Sequence, residues 1–403
     1  MTGRAGVIPG RGVPAIWRPA PGTAGPDEPP EGRPEPLALT AAIDRTGGRS
    51  TVTIRAVRRA ELRRGGWTNA AGAAYLRLAE TARLEESARI GFLDPGELAS
   101  HREGVYLIEP YDPDRIPLVM IHGLRSSPGT WRTLTLSVLT DPELHRRFQV
   151  WHVFYPTGLP PFYSAAGVRS GLRAVLARHD PSGRALPSRR MAVVGHSMGG
   201  IVARILVTED RGQIWRTSFT VPPEALDVPP DRAAALRSIL TLTREPQIGF
   251  AAFVDTPHRG ALLAAGPIGQ FASSLVRLPM SFATLFSDDA GFVAQVTPAL
   301  RPFLTRGGVD AVRALDPGHP LLAALADLPP APGVTVVSVI GVRGGAACLR
   351  RPECHASDGV VPYASAHLGI GPELIVDGGH ASHTSGEAFA FLRRRLLDWA
   401  DGP

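Results

Sequence analysis

Ser197 stands in a segment whose residue types suit nucleophilic chemistry. Residues 195–199 have the pattern G-x-S-x-G, between a short apolar run at 191–194 and a helix-compatible stretch at 201–207. A serine on a sharp strand-to-helix turn needs neighbours without side chains, because the backbone packs closely on both sides. The segment therefore predicts a nucleophile elbow, with an ordinary serine in a glycine-rich turn as the alternative.

Two later segments contain the acid and the base that a serine nucleophile needs. Asp358 follows a strand-like run at 334–340 and a loop, and His380 follows a short strand-like run at 373–376 and a Gly-Gly turn. The order serine, aspartate, histidine is one that catalytic triads use on strand-and-helix sheets. We expect His380 to take the Ser197 proton, while Asp358 holds the imidazole in the required tautomer.

Two other residues are alternatives for these roles. His383 lies three residues beyond His380, and we favour His380 as the base because it follows the turn after the strand directly. Asp255 ends the strand-like run at 250–254, and some hydrolases take their acid from this earlier strand. We favour Asp358 as the acid because of its position after the penultimate strand.

A further apolar run, at 116–121, leads directly into His122, Gly123 and Leu124. On sheets that carry such elbows, the loop after a neighbouring strand supplies one oxyanion donor, and the amide after the nucleophile supplies the other. We therefore predict that the backbone N–H groups of Leu124 and Met198 form an oxyanion hole. We interpret His122 as a hydrogen bonder that shapes the loop.

These motifs together resemble the α/β-hydrolase superfamily of the lipase and esterase type, including uncharacterised bacterial predicted lipases. The resemblance extends over about residues 105–399, and it implies an α/β-hydrolase fold with a mostly parallel, doubly wound sheet and helical lid insertions. It rests on residues 191–200, 121–124, 357–362 and 379–380, and on the box at 256–260, Thr-Pro-His-Arg-Gly, which recurs in bacterial lipases and related predicted acyltransferases.

The sequence departs from the family pattern in two places. Asp255 stands where a small apolar residue usually precedes the Thr-Pro-His-Arg-Gly box, and residues 348–354 look like an insertion. Calcium-binding bacterial lipases usually place an acidic residue shortly after the catalytic histidine, but residues 381–386 contain none. We therefore predict neither a metal nor another cofactor. We interpret His258 and Arg259 as hydrogen bonders that fix their loop.

The chain divides into three regions. Residues 1–36 are predicted to be disordered because they are rich in proline and glycine. Residues 37–111 read as an accessory segment, with a hairpin from 37–43 and 51–57 and a helix at 69–90. The catalytic domain is then predicted to span 112–403.

Two insertions in the catalytic domain, at about 214–245 and 261–328, are expected to form lids over the site, because open sheets bind ligands at the carboxyl ends of their strands. Ordinary packing of a helical layer is the alternative for their apolar residues. The residues predicted to line a substrate pocket are Phe162, Tyr163, Phe271 and Leu275.

The composition fits a large globular enzyme. The chain has 403 residues, of which 44% are hydrophobic and 20% are charged, and its net charge is +6. Arginines cluster between residues 45 and 64, and such a cluster attracts anionic lipid headgroups or nucleic acid. Without interleaved aromatic residues we predict no nucleic-acid binding and interpret the cluster as a solvated face, with peripheral contact to a lipid surface as the alternative. The sequence contains no signal for an oligomeric state.

The location in the cell is open at this stage. Residues 1–36 contain no apolar segment of the kind found in signal peptides, which predicts a cytoplasmic protein. Export is the alternative if translation starts elsewhere. A disulfide between Cys348 and Cys354 would favour export, because it needs an oxidising compartment. Metal binding by these cysteines together with His355 is the competing interpretation.

Taken together, these features predict a serine hydrolase that cleaves small-molecule or lipid carboxylic esters through an acyl-enzyme intermediate. An acyltransferase that uses the same triad is the nearest alternative. A scaffold that keeps the fold but binds a partner without turnover is a more distant one.

Overall fold

The computed structural model describes residues 11, 13–17, 24–29, 33–46, 49–57, 69–81, 89–90, 92, 94, 103–261, 284–286, 290–305, 310–351 and 353–402. Within these ranges, every helix is too short or too polar to cross a lipid bilayer.

A small antiparallel sheet precedes the main body of the fold. Its strands are β1 (Val13–Trp17), β2 (Glu35–Thr46) and β3 (Arg49–Ala56), with β2 in the centre. β1 lies within residues 1–36, so the structure differs here from the predicted disorder. The difference has a simple cause: this short run is largely apolar, and its backbone pairs with β2, with Val13 opposite Leu39.

The central sheet has seven strands in the described part of the chain, and all of its pairs are parallel except β4 with β6. Their spatial order is β10-β9-β8-β7-β5-β6-β4. The strands are β4 (Gly104–Leu107), β5 (Ile116–Ile121), β6 (Phe148–Phe154), β7 (Met191–His196), β8 (Ile248–Val254), β9 (Thr335–Val342) and β10 (Glu373–Asp377). β4 thus belongs to this sheet, although the sequence places residues 104–107 in the accessory segment.

Helices cover both faces of the central sheet. One face packs on α4, α5, α6, α7 and α11, and the other packs on α1, α2, α3 and α14. The helices are α1 (Ala71–Thr81), α2 (Arg132–Thr140), α3 (Pro142–Arg147), α4 (Pro161–His179), α5 (Met198–Leu206), α6 (Gln213–Ser218), α7 (Pro230–Leu240), α8 (Ala290–Gln295), α9 (Arg301–Thr305), α10 (Ala311–Ala314), α11 (Pro320–Ala326), α12 (Gly345–Cys348), α13 (Tyr363–Ala366) and α14 (Gly386–Asp401).

The strands are apolar along their whole length because both of their faces are buried. In β5, Val119 and Ile121 point into the core on one side, while Leu118 and Met120 point into the core on the other. Parallel strands covered on both faces typically read as continuous apolar runs. This arrangement confirms the predicted α/β-hydrolase fold, with its mostly parallel, doubly wound sheet.

Candidate active site

The site lies where the chain changes direction across the sheet. β5 is followed by β6 on one side and by β7 on the other. Ligands of open parallel sheets bind outside the carboxyl ends of the strands at such a switch point. His122 follows β5 at this point, and Ser197 follows β7.

Ser197 forms the turn between β7 and α5. Its φ of 54° and ψ of −126° are unusual for a residue with a side chain, and such strain is typical of functional turns. A hydrogen bond to the neighbouring strand fixes the turn: the Ser197 N–H donates to the carbonyl of Val254, at the end of β8, at 2.9 Å. A Cβ atom on Gly195 would overlap the Gly199 carbonyl oxygen, so the close approach of the strand to the helix requires glycine here.

His380 connects Ser197 to Asp358. Its Nε2 lies 2.9 Å from the Ser197 hydroxyl, and its Nδ1 lies 2.6 Å from the Asp358 carboxylate. The backbone N–H groups of Val360 and Val361 both donate to Asp358 at 2.7 Å, which fixes the carboxylate. Since a carboxylate only accepts, it requires the proton on Nδ1 and leaves Nε2 free to accept from the serine. The side chain of His380 is 20% exposed, so a substrate in the cleft can reach it.

The loop after β5 lies directly against the nucleophile. A Cβ on Gly123 would be 2.8 Å from the Cβ of Ser197. The predicted oxyanion donor, the N–H of Leu124, belongs to the residue that follows Gly123. Met198 begins α5, where its N–H has no acceptor within the helix. The two predicted oxyanion donors are therefore on the two segments that flank Ser197.

His122 is a neutral residue that shapes this loop. Its Nδ1 donates to the Gly123 carbonyl at 3.1 Å, and its ring stacks on Tyr155 with ring centres 4.6 Å apart. The Tyr155 hydroxyl also donates to the His122 carbonyl at 2.7 Å. Burial lowers the pKa of His122 to about 4, so the ring is uncharged near neutral pH.

The two alternative residues make their hydrogen bonds to groups other than the Ser197 hydroxyl and the His380 ring. His383 contacts the Thr130 hydroxyl through Nε2 at 3.1 Å and packs on His196 instead of Ser197. The Asp255 carboxylate accepts from the Gly341 and Ser382 amides and from the Ser382 hydroxyl. Burial raises the pKa of Asp255, and the two amides oppose this effect.

The histidines around His380 are buried and neutral. Burial, followed by the nearby His383 and His380, lowers the pKa of His196 well below its usual value. Burial also lowers the pKa of His383 to about 4. A positive charge on His380 would therefore meet two uncharged rings.

Two groups of side chains among the described residues have the spacing of metal ligands. The potential ligand atoms of His196, Asp255 and His383 lie within 4.8 Å of one another, as do those of Asp255, Asp358 and His380. Both groups use Asp255, whose carboxylate already accepts three hydrogen bonds, and the second also uses the pair that contacts Ser197. We assign no metal to either group, and the absence of a cofactor stays a prediction.

An apolar cavity lies beside the loop after β6. Phe162 and Tyr163, at the start of α4, line it, and their contact with substrate stays a prediction; Phe271 and Leu275 lie outside the described residues. Sequence reasoning missed other lining residues, because they come from separate segments and no local pattern marks them. Among these are Phe219, Phe292 and Phe303.

Of the two residues of the Thr-Pro-His-Arg-Gly box that are predicted to fix their loop by hydrogen bonds, Arg259 does so and His258 does not. Arg259 donates to the carbonyls of Ala364 and His367, at 3.2 and 2.7 Å. The prediction for His258 is wrong, since within the described chain neither of its ring nitrogens has a hydrogen-bond partner. Its ring is buried and packs edge-on against Phe253, with ring centres 4.9 Å apart. Burial and two nearby guanidinium groups lower its pKa well below the usual value, so it packs as a neutral ring.

Cys348 and Cys354 are joined by a disulfide. The bridge closes a small loop between β9 and the segment that carries Asp358. The cysteines therefore do not act as thiolate ligands with His355.

Comparisons with known proteins found distant likeness to solved structures alone. No protein-family model matches the chain, and no curated protein sequence matches it either. Among solved structures, a mature lipase from Bacillus licheniformis is similar at 16% identity, with a TM-score of 0.41, covering 73% of this chain and 97% of that one. A metagenomic carboxyl esterase is similar at 17% identity, with a TM-score of 0.37, covering 79% and 91%.

A thioesterase domain from the curacin biosynthetic pathway is similar at 14% identity, with a TM-score of 0.35, covering 90% of this chain and 99% of that domain. Likeness at this level carries no argument about the substrate. The function therefore has to be argued from the site itself.

Proposed function

We propose that this protein is a serine hydrolase that cleaves carboxylic esters through an acyl-enzyme intermediate. The observation that carries the proposal is the continuous hydrogen-bonded path from the Ser197 hydroxyl through His380 to Asp358. Such a path allows an uncharged hydroxyl to lose its proton as it attacks a carbonyl carbon.

The reaction divides into two matched halves. Ser197 Oγ attacks the ester carbonyl while its proton passes to His380 Nε2, and the N–H groups of Leu124 and Met198 hold the oxyanion. The oxyanion then collapses, the bond to the alcohol breaks, and His380 returns the proton to the leaving oxygen. In the second half His380 deprotonates water, which attacks the acyl-enzyme and releases the acid and free Ser197.

The apolar cavity supports an acyl group of appreciable length. Its lining, which includes Pro160 and Phe162, is almost entirely hydrophobic. Pro160 links the cavity to the predicted oxyanion hole: it lies three residues after Thr157, whose hydroxyl accepts from the N–H of Arg125, the neighbour of Leu124, at 3.2 Å. We propose that the acyl chain of the substrate occupies this cavity, with the alcohol portion directed toward solvent.

The test is hydrolysis of p-nitrophenyl esters of graded chain length, together with covalent labelling by a fluorophosphonate. The wild-type protein should turn over the esters and take up the label at one site. Ser197→Ala should abolish labelling and lower kcat by about 10⁶-fold if it resembles serine proteases that lose a triad member. An unlabelled wild-type protein without turnover would leave the non-catalytic scaffold as the better description.

The transferase alternative is separated by the products. In dilute aqueous alcohol, a hydrolase releases mainly free acid. Dominant formation of the new ester would replace the hydrolase proposal with acyl transfer by the same triad.

A further inference from the structure

Asp255 is a buried carboxylate next to the proposed triad that the reaction itself does not use. We propose that it is a positioning residue for His380, tying the loop that carries the base to the strand that precedes the acid. This inference rests on the proposed function. It assigns a role to a residue whose type departs from the family pattern.

The contacts of Asp255 converge from two segments. One carboxylate oxygen, Oδ1, accepts from the Gly341 N–H at 2.8 Å and from the Ser382 hydroxyl at 2.9 Å. The other oxygen, Oδ2, accepts from the Ser382 N–H at 2.9 Å. The residue is 0% exposed, so these donors replace water entirely. A buried carboxylate without hydrogen-bond donors would lower the stability of the fold, so Asp255 depends on these three donors.

These donors come from the two segments that the triad must bring together. Ser382 lies two residues after His380, and Gly341 lies in β9, which leads to the Asp358 loop. At Gly341 the two segments touch, since a Cβ there would be 2.7 Å from the Gly379 carbonyl and 3.2 Å from the Asp358 Cβ. Asp255 thus binds both segments at their point of contact.

The same short stretch of chain also holds the nucleophile. The Val254 carbonyl accepts from the Ser197 N–H at 2.9 Å, and the Asp255 N–H donates to the Val339 carbonyl at 2.9 Å. Asp255 adopts a φ of 47°, in the left-handed region, which a residue with a side chain occupies only at a cost. This turn directs its carboxylate toward Ser382. Val254 and Asp255 therefore bind, through hydrogen bonds, the three segments that carry the nucleophile, carry the base and precede the acid.

His196 provides a second hold on the base. Its Nε2 lies 3.2 Å from the His380 carbonyl oxygen, and as an N–H it donates to that oxygen. The backbone of the base loop is thus fixed at His380 by His196 and at Ser382 by Asp255. The imidazole nitrogen Nε2 stays free to take the proton of Ser197 and to give it back.

Asp255 and Asp358 differ in what their oxygens can do. Asp358 directs one oxygen at His380 Nδ1, whereas both oxygens of Asp255 are taken by Ser382 and Gly341. Loss of Asp358 removes the partner of the imidazole itself. Loss of Asp255 leaves that partner in place but loosens the geometry between base and nucleophile.

The test compares Asp255→Asn, Ser382→Ala and the double variant with the wild-type protein. The asparagine keeps the size of the side chain but places its amide NH2 opposite the Ser382 N–H. Both groups are donors, so this hydrogen bond is lost. A displacement of about 1 Å can cost about 10²-fold in rate, so we expect kcat for a soluble p-nitrophenyl ester to fall by about 10²-fold. KM should stay within about two-fold, because the ester-binding surface does not include Asp255.

Ser382→Ala removes only the hydroxyl and should lower kcat less. The double variant should be slower than Asp255→Asn by less than the factor that Ser382→Ala alone costs, because both changes weaken the attachment of Asp255 to Ser382 and the effects of contacting residues do not add. If Asp255→Asn fails to fold, Ser382→Ala carries the test: its kcat should fall at least about three-fold at constant KM.

Asp210→Asn is the matched control. Asp210 is also a buried carboxylate, and it accepts from the N–H groups of Gly212, Ile214 and Leu242 beyond the far end of α5. This variant should lower the melting temperature but leave the kcat of the folded protein unchanged.

Equal losses of kcat in Asp210→Asn and Asp255→Asn would overturn the proposal, as would a folded Asp255→Asn or Ser382→Ala with wild-type kcat. These outcomes require an active wild-type protein. A wild-type protein without turnover or fluorophosphonate labelling would instead contradict the proposed function.

Discussion

Acidification from pH 7.5 to 5.0 should destabilise the fold through buried histidines that include His122, His152 and His383. Burial lowers the pKa of His122 to about 4, of His152 to about 3 and of His383 to about 4, from 6.5 in an exposed chain. Between these values and 6.5, the unfolded chain binds protons that the folded protein excludes. Stability is therefore complete above pH 6.5 and is lost as the pH falls toward 4.

The magnitude follows from the pKa difference. At pH 5.0 an unfolded histidine is almost fully protonated, while a folded one with a pKa of 3 or 4 remains mostly neutral. The difference corresponds to about 1.5 pKa units, or about 2 kcal/mol for each histidine. Three such residues together lower the free energy of unfolding by about 6 kcal/mol. This is a large part of the total for a typical protein, which is roughly 5–15 kcal/mol.

His152 allows this reasoning to be tested at one residue. Its ring lies between the Thr135 hydroxyl, 2.8 Å from Nε2, and the edge of Tyr75. His152→Gln keeps a polar group toward Thr135 but cannot titrate. Urea unfolding followed by tryptophan fluorescence at pH 7.5 and 5.0 gives the free energy of unfolding for both proteins.

The loss of stability between the two pH values should be smaller in His152→Gln than in the wild-type protein by about 2 kcal/mol. If the substitution also changes the overall stability, it changes the free energy of unfolding by the same amount at both pH values, and this change cancels in the difference. An identical pH dependence in the two proteins would refute the argument that the buried ring excludes a proton.

Three further predictions concern other parts of the molecule. Replacing Cys348 and Cys354 together by serine opens a loop of seven residues and should lower the free energy of unfolding by about 2 kcal/mol, measured by urea titration at pH 7.5; an unchanged midpoint would show that the bridge is not formed. Ala314→Phe, on the cavity wall, should lower kcat/KM for long acyl chains relative to short ones, with the ratio within the variant as its own control; a parallel loss for all lengths would separate the cavity from the acyl chain. Dialysis against EDTA should leave esterase activity within about two-fold, and a loss restored by Zn²⁺ would assign a metal to the histidine–carboxylate groups.

Much of the site could be read from the sequence because its chemistry is local. A strained turn leaves few choices for its neighbours, so Gly195 and Gly199 mark Ser197 directly. The Gly-Gly turn likewise favours His380 over His383, and the structure brings His380 to Ser197. In each case the signal lies within a few residues of the group that it identifies.

Other features could not be read because they depend on contacts between distant segments. The side chain of Asp255 bonds residues that lie 86 and 127 positions further along the chain, and no pattern around it indicates this. His258 lies in a motif that suggests hydrogen bonding, yet among the described residues neither of its ring nitrogens has a hydrogen-bond partner. The cavity is likewise built from residues far apart in the sequence.

One end of β4, at the edge of the central sheet, is hydrogen-bonded to two residues near the amino terminus, Asp27 and Arg33. The Leu107 N–H donates to the Asp27 carbonyl at 3.0 Å, and the Arg33 guanidinium donates to the Leu107 carbonyl at 3.5 Å. The Asp27 side chain also forms an ion pair with Arg178 and a hydrogen bond with His179, both at the end of α4. Bare strand edges recruit strands from other molecules. Asp27 and Arg33 therefore cover one end of this strand edge, and a shortened chain that lacks them is expected to self-associate more readily than the full one.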